Sequence, residues 1–276
     1  MLANDCNGRS CPTSLTVSCP TLSARSNQNT PTAQDTVGAA GRRLALPMKT
    51  TANGGHEFEA DGIEIRSAVL ASEAIGAIKA EVSLDHEILR RTGIRNLEKK
   101  FRTIAGLVAD ATVSSIAAAL LGERPRMVRA LFFDKTPERN WFVAWHQDRT
   151  VTLDRRIELA GWSRWTCKDG VHHVQPPRAV LDQMVTIRLH LDDTDELGGC
   201  LCVIPGSHRL GILTQDEIDQ AVARSTPLAC AVAAGDAVIM HPLILHSSRK
   251  SQRSIHRRVV HLEFSSYQLP SDVSWA

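Results

Sequence analysis

A histidine and an aspartate two positions apart are the first residues in this chain that could do chemistry together. Residues 141–150 read Trp-Phe-Val-Ala-Trp-His-Gln-Asp-Arg-Thr, with His146 and Asp148 at the centre. On an extended strand, positions i and i+2 point to one face, so an imidazole nitrogen and a carboxylate oxygen can meet at one point. On a helix the same pair diverges. Such a pair is two-thirds of the 2-His-1-carboxylate set that holds non-haem Fe(II) and leaves positions open for co-substrates. Surface and capping His-x-Asp pairs are commoner, so the reading rests on a third ligand.

The chain has eleven histidines. A useful third ligand should lie on a strand late in the β region, with apolar neighbours to fix it. His246 meets both conditions, following Leu243-Ile244-Leu245 and preceding Ser247-Ser248. Its separation from His146 is one that a barrel closes by bringing distant strands to one mouth. The competitors are weaker. His172-His173 falls in a loop, His190 shares a face with Arg188, and His208 follows a Pro-Gly turn. His241 precedes Pro242, while His256 and His261 flank the final strand.

The elements that must position these residues follow from pattern. Residues 1–47 contain no aromatic residue and are rich in Ser, Thr, Asn and Ala. They cannot bury enough surface to offset their ordering entropy, so disorder is expected, and Met48 is an alternative start. Residues 58–70 alternate as a strand does, and Ser72 is placed to cap a helix running to about residue 82. Residues 96–122 carry helical spacing as one broken helix or two, ended by Gly122. Met127–Phe133 is strand-like. Residues 149–180 read as a long irregular insert, either a lid or binding loop or a structural loop pinned by Trp162 and Trp165. Beyond it come strands over 184–191, 199–204, 236–246 and 257–264, with a helix or loop over 214–225. Short strands separated by turn signals predict a sandwich or jelly roll, mainly β with α, in one domain over 48–276. The helices precede most of the strands and should pack on one outer face.

Composition narrows the partners. A net charge of +2 gives no reason to expect nucleic acid or an anionic membrane. No run approaches the length of a spanning helix. Seven cysteines, without a repeated C-x-x-C, suggest free thiols in a reducing cytoplasm. A small-molecule substrate and a monomer or weak homodimer are expected.

Five pieces then stand in a set order: Trp145-His146-Gln147-Asp148, Leu189-His190-Leu191-Asp192-Asp193, Val203-Ile204-Pro205-Gly206-Ser207-His208, His241-Pro242-Leu243-Ile244-Leu245-His246-Ser247-Ser248, and Arg257-Arg258. Each is modest alone, but together they resemble the phytanoyl-CoA dioxygenase (PhyH) family of Fe(II)/2-oxoglutarate oxygenases over about residues 58–265. The resemblance implies a double-stranded β-helix core, with His146, Asp148 and His246 as metal ligands. It implies 2-oxoglutarate as co-substrate, O2 as oxidant, supportive ascorbate, and succinate and CO2 as products. Strand alternation separates Arg257 from Arg258 without saying which faces the barrel. The family's spacing, an arginine eleven residues after the distal histidine, selects Arg257 as the 2-oxoglutarate anchor. Ser248 could add a hydroxyl donor.

Two departures stand out. Leu197-Gly198-Gly199 replaces the usual Asn-Gly, which should change a turn and not the chemistry. Arg249-Lys250-Ser251 stands where an Asn is common. Related halogenases lack the carboxylate, so Asp148 favours hydroxylation. Trp141, Trp162 and Trp165 are candidates for an apolar substrate wall, and Arg149, with Arg155, Arg156, Arg164 and Lys168, for an anionic group. Two other functions use the same fold: a metal hydrolase or isomerase with Zn2+ on the three ligands, and a non-catalytic cupin-like binding protein.

Overall fold

Apolar and polar residues alternate along the late strands, and the alternation sorts them onto two sides of a sheet. The computed structural model describes residues 55–85, 93–122 and 124–276. They belong to one compact unit, Met48–Ala276. The expected disordered segment 1–47 lies outside the described residues, as does Met48.

The elements run α1 (Gly55–Asp61), β1 (Ile63–Arg66), α2 (Ser72–Ser83), β2 (Gly93–Arg95), α3 (Leu97–Lys100), α4 (Arg102–Ala109), α5 (Ala111–Leu121), β3 (Arg126–Lys135) and β4 (Val143–His146). Next come β5 (Val151–Leu153), β6 (Ser163–Lys168), β7 (Val171–Gln175), α6 (Arg178–Leu181), β8 (Met184–His190) and β9 (Leu201–Ile204). The chain finishes with a short 3-10 helix (Ser207–Leu210), α7 (Gln215–Ala223), β10 (Leu228–Cys230), β11 (Ala237–Met240), β12 (Leu245–Ser248) and β13 (Arg257–Ser265).

Two antiparallel sheets form the jelly roll. The larger is six-stranded, in the order β1-β11-β8-β13-β3-β2, and the smaller is four-stranded, β10-β9-β12-β4. Phe132, Val185, Ile187, Leu189, Val260, Leu262 and Phe264 form the outer face of the large sheet, covered by Ile75, Ile78, Ile104, Leu107, Val113 and Ile116 of the helices. At roughly 25 cal/mol per Å2 of apolar surface, this interface is a major source of stability. Among the described residues no single helix is long and apolar enough to cross a membrane. The apolar pair α4–α5 instead turns its buried residues to the sheet. Ile63, Leu201, Val203, Val238, Met240 and Ile244 fill one part of the interior between the sheets. The inward positions of β3, β8 and β13 elsewhere mix polar residues (Arg129, Lys135, Arg188, Arg257, His261, Glu263) with apolar ones, Leu131 and Phe133 among them.

Three expectations need correction. Residues 58–70 are not one strand: α1 ends at Asp61 and β1 begins at Ile63. The break is Gly62, at φ 71°, where an added Cβ would sit 2.3 Å from the His208 ring. Only glycine tolerates both the angle and the contact. The helical stretch 96–122 breaks twice, the second time where the Asp110 side chain accepts from the amides of Thr112 and Val113 and caps α5. The insert is not irregular either. Residues 151–175 carry a third antiparallel sheet, β5-β7-β6, whose last turn uses Asp169 and Gly170, both at positive φ.

Alternation on β13 is now settled. Arg258 faces outward and clasps Asp192 through Nε at 2.8 Å and Nη2 at 2.7 Å. Lys79 of α2 shares the same carboxylate at 2.8 Å. We expect Arg258→Ala to loosen this tie and cost about 1–3 kcal/mol in urea denaturation, with metal binding unchanged.

Candidate metal centre

Strand pairing does most of the positioning. β12 runs antiparallel to β4 with His246 directly opposite His146, and the two rings lie 4.1 Å apart at their centroids. Each ring is oriented in the same way. Nδ1 of His146 bonds the carbonyl of Ala144 at 2.8 Å, and Nδ1 of His246 bonds that of Ile244 at 2.9 Å. A neutral ring that donates from Nδ1 keeps its lone pair on Nε2, the nitrogen free for a metal.

Asp148 arrives differently from the one-strand geometry expected for it, because β4 ends at His146. Its amide donates to the carbonyl of Pro242 at 2.9 Å. Gln147 points the other way and locks the bend. Its amide nitrogen donates to Gly211 at 2.7 Å and Leu243 at 2.8 Å, and its oxygen accepts from Leu213 at 2.9 Å. The Asp148 carboxylate then lies 3.9 Å from Nε2 of His146 and 3.6 Å from Nε2 of His246. Two ligands each about 2.1 Å from a shared ion stand roughly 3–4 Å apart, so the three side chains fit a divalent cation. Ser207 secures the far strand, its hydroxyl donating to Ile204 at 2.6 Å and accepting from the Leu245 amide at 2.8 Å.

Electrostatics favour the ligating forms. Burial pushes the pKa of Asp148 up, but the imidazoles of His246, His261 and His146 and the Arg129 guanidinium outweigh it and hold the group well below the usual carboxylate range. Burial pushes His246 down to about 3, against the pull of Asp148, so the ring is neutral near pH 7. A second cluster, Asp148 with His261 and Glu263, has ligand atoms equally close together. Its His261 ring is committed at both nitrogens, Nδ1 to Arg188 at 2.8 Å and Nε2 to Glu263 at 3.0 Å, and Arg129 pairs with the same Glu263 oxygen at 2.7 Å. Two guanidinium groups at its edge make it a charge ladder, ill-suited to a cation.

The three ligands open onto a cavity of about 270 Å3, which Arg257, Ser248, Arg188, His261, Leu131, Phe133, Trp141, Val143 and Leu201 also line. Arg257 is 3 % exposed. Its Nη1 donates to the Gly199 carbonyl at 2.5 Å and to the Ser248 hydroxyl at 3.2 Å. Its Nε is buried with no partner among the described residues. No carboxylate of the described residues is at ion-pair distance from Arg257, so an arriving carboxylate fits here. At the Gly198-Gly199 departure, Gly199, at φ 69°, presents its carbonyl to the guanidinium. The loop after His246 is held as well, by reciprocal bonds of 2.7 Å between Asn140 and the backbone of Ser251.

Of the aromatic candidates, Trp141 lines the cavity. Trp162 packs in the core beneath the third sheet, and Trp165 packs against that core with Arg156 over its ring. Arg149 donates to the Leu213 carbonyl at 2.8 Å. Sequence reading missed Lys135, which is fully buried and donates to Ser248 at 2.5 Å and to the Arg249 carbonyl at 2.7 Å. The signal was its inward position on β3, in step with Arg129, Leu131 and Phe133.

Burial, then the charges of Arg257 and Arg188, push Lys135 from its ordinary 10.5 down to about 7. Between those values the unfolded chain keeps this proton and the folded chain has released it, so the contribution to stability rises with pH. Urea denaturation of the metal-free protein should show wild type gaining on Lys135→Met from about pH 7 to about pH 9. A flat difference would contradict the assignment.

Comparison with known proteins bears on the family and the fold. The family model for phytanoyl-CoA dioxygenase (PhyH) matches residues 58–259. "Phytanoyl-CoA dioxygenase 1" of Oryza sativa subsp. japonica is 26% identical over 162 residues, 55% of this chain and 49% of the relative, so the chain spans about half the length of that protein. Among solved structures, AviO1 from Streptomyces viridochromogenes Tue57 aligns with a TM-score of 0.58 at 23% identity, covering 78% of this chain and 94% of its own. HygX from Streptomyces hygroscopicus, solved with nickel and 2-oxoglutarate bound, aligns with a TM-score of 0.54 at 16% identity, covering 75% and 83%. These likenesses support the jelly-roll fold, and the match over most of the described residues places the chain in the phytanoyl-CoA dioxygenase (PhyH) family.

Proposed function

We propose that this chain is an Fe(II)- and 2-oxoglutarate-dependent dioxygenase that hydroxylates an unactivated C–H bond of a small metabolite. The observation that carries the reading is one cavity joining a three-ligand metal pocket to an unpaired, buried guanidinium with a hydroxyl beside it. His146, Asp148 and His246 would hold the iron through Nε2, a carboxylate oxygen and Nε2. Arg257 and Ser248 would receive the distal carboxylate of 2-oxoglutarate, the arginine as a planar fork that lysine cannot offer. With both groups bound, such a site supplies oxidative decarboxylation to succinate and CO2, coupled to oxidation of a C–H bond by O2.

The protein's own contribution is order and an apolar wall. The Nδ1 bonds to Ala144 and Ile244 keep both rings in the ligating tautomer. Asp148 keeps its negative charge at the metal and occupies the place that a halide would need. Leu131, Phe133, Trp141 and Leu201 form an apolar wall against which the aliphatic part of a substrate can rest. A cavity of about 270 Å3 suits a small molecule, or one end of a larger one.

The test is succinate release from 2-oxoglutarate in the presence of Fe(II), ascorbate and O2, with and without candidate substrates. We expect turnover in the wild type and none in His246→Ala. Arg257→Ala should raise KM for 2-oxoglutarate by roughly 10- to 100-fold, the loss of a charge-assisted contact. Zn2+-dependent hydrolysis that survives Arg257→Ala would replace this reading with that of a metal hydrolase.

A further inference from the structure

Arg188 is another cation on the inner face, and among the described residues the nearest acting charge, that of Asp148, stands beyond ion-pair distance. It lies on β8 opposite His261 of β13 and lines the same cavity as the three metal ligands. It is 7 % exposed. One bond is accounted for, from Nη1 to Nδ1 of His261 at 2.8 Å, and the Phe133 ring lies 5.7 Å from Cζ. Nε is buried without a partner. Among the described residues no carboxylate is at ion-pair distance from it. The nearest acid along β13, Glu263, is taken by Arg129 at 2.7 Å and His261 at 3.0 Å. The contrast with Arg129 on Glu263 and Arg258 on Asp192 is plain. A guanidinium does not shed its proton, and burying one unpaired is costly. Its place in the cavity wall makes an arriving anion the natural partner.

We propose that Arg188 is a carboxylate-binding residue of this cavity, separate from Arg257. The inference rests on the iron and 2-oxoglutarate reading of the site. The carboxylate has two sources: the end of the co-substrate nearer the metal, or the substrate. Charge counting favours the substrate. Two neutral imidazoles, Asp148 and a divalent ion sum to +1, a 2-oxo diacid brings the total to −1, and Arg257 restores neutrality. Arg188 then leaves one positive charge in the cavity wall, matched by a substrate with a carboxylate head and an apolar body.

The experiment is calorimetric titration of the Mn(II)-loaded protein, comparing wild type, Arg188→Gln, Arg188→Lys and Arg257→Gln. Unchanged Mn(II) affinity shows that each variant retains the folded site. The ligands are 2-oxoglutarate and 2-oxopentanoate, which lacks the distal carboxylate. If Arg188 meets the co-substrate, Arg188→Gln weakens both ligands by the same factor, roughly 10- to 100-fold, while Arg257→Gln weakens only 2-oxoglutarate. If it meets the substrate, 2-oxoglutarate binding is unchanged. Short aliphatic and aromatic monocarboxylates added to the Mn(II)–2-oxoglutarate complex then raise the unfolding temperature of wild type and Arg188→Lys, and not of Arg188→Gln. Equal behaviour of wild type and Arg188→Gln in both arms overturns the proposal. Failure of wild type to bind 2-oxoglutarate in an Mn(II)- and Arg257-dependent way overturns the underlying reading, and the Arg188 proposal with it.

Discussion

The inner face of this jelly roll is charged, and the rest of the structure is arranged around meeting that charge. Lys135, Arg188, Arg257, Arg129, His261 and Glu263 all point inward from three neighbouring strands and are almost fully buried. Burial of a charge is affordable only with a partner or a ligand. Arg129 and Glu263 form an ion pair at 2.7 Å. Lys135 leans on a hydroxyl, a carbonyl and the Trp141 ring. Arg257 and Arg188 have no carboxylate at ion-pair distance among the described residues, and both face the cavity. A fold without a ligand would gain nothing from that arrangement.

The outer face makes this possible. Phe132, Ile187, Leu189, Leu262 and Phe264 give the large sheet an apolar back, and the helices seal it. The strands are therefore held from outside and can commit their inner positions to polar work. On the smaller sheet the cross-strand register does the equivalent job, setting His146 opposite His246 before any metal is present. The Asp148 amide bond to Pro242 and the three bonds of Gln147 then bring the carboxylate to the same point. The centre is preorganised by backbone pairing more than by contacts among the ligands.

Much of this was legible in the sequence, and the misses have physical reasons. Strand alternation over 184–191 and 257–264 marked real strands, and family spacing selected the inward arginine. Pattern alone could not, because Arg257 and Arg258 are both ordered and both bonded, one to Gly199 and Ser248, the other to Asp192. His146 and Asp148 do converge, but through a bend after β4 that no alternation rule describes. The insert hid its strands because β6 is largely exposed, so the apolar period that betrays a half-buried strand is weak there. The break at Gly62 depends on His208, a residue far along the chain. Arg188 and Lys135 were missed because a buried cation looks like a surface one until its surroundings are known.

The central claim is that the three ligands and the guanidinium beyond them form one site for a metal ion and a 2-oxo diacid together. Anaerobic absorption spectroscopy tests this directly. Adding 2-oxoglutarate to the Fe(II)-loaded protein should produce a broad visible charge-transfer band that neither component gives alone. The band should be absent in Asp148→Ala loaded in the same way. Full occupancy by Fe(II) and 2-oxoglutarate without that band would contradict the account, since the two would then be bound apart.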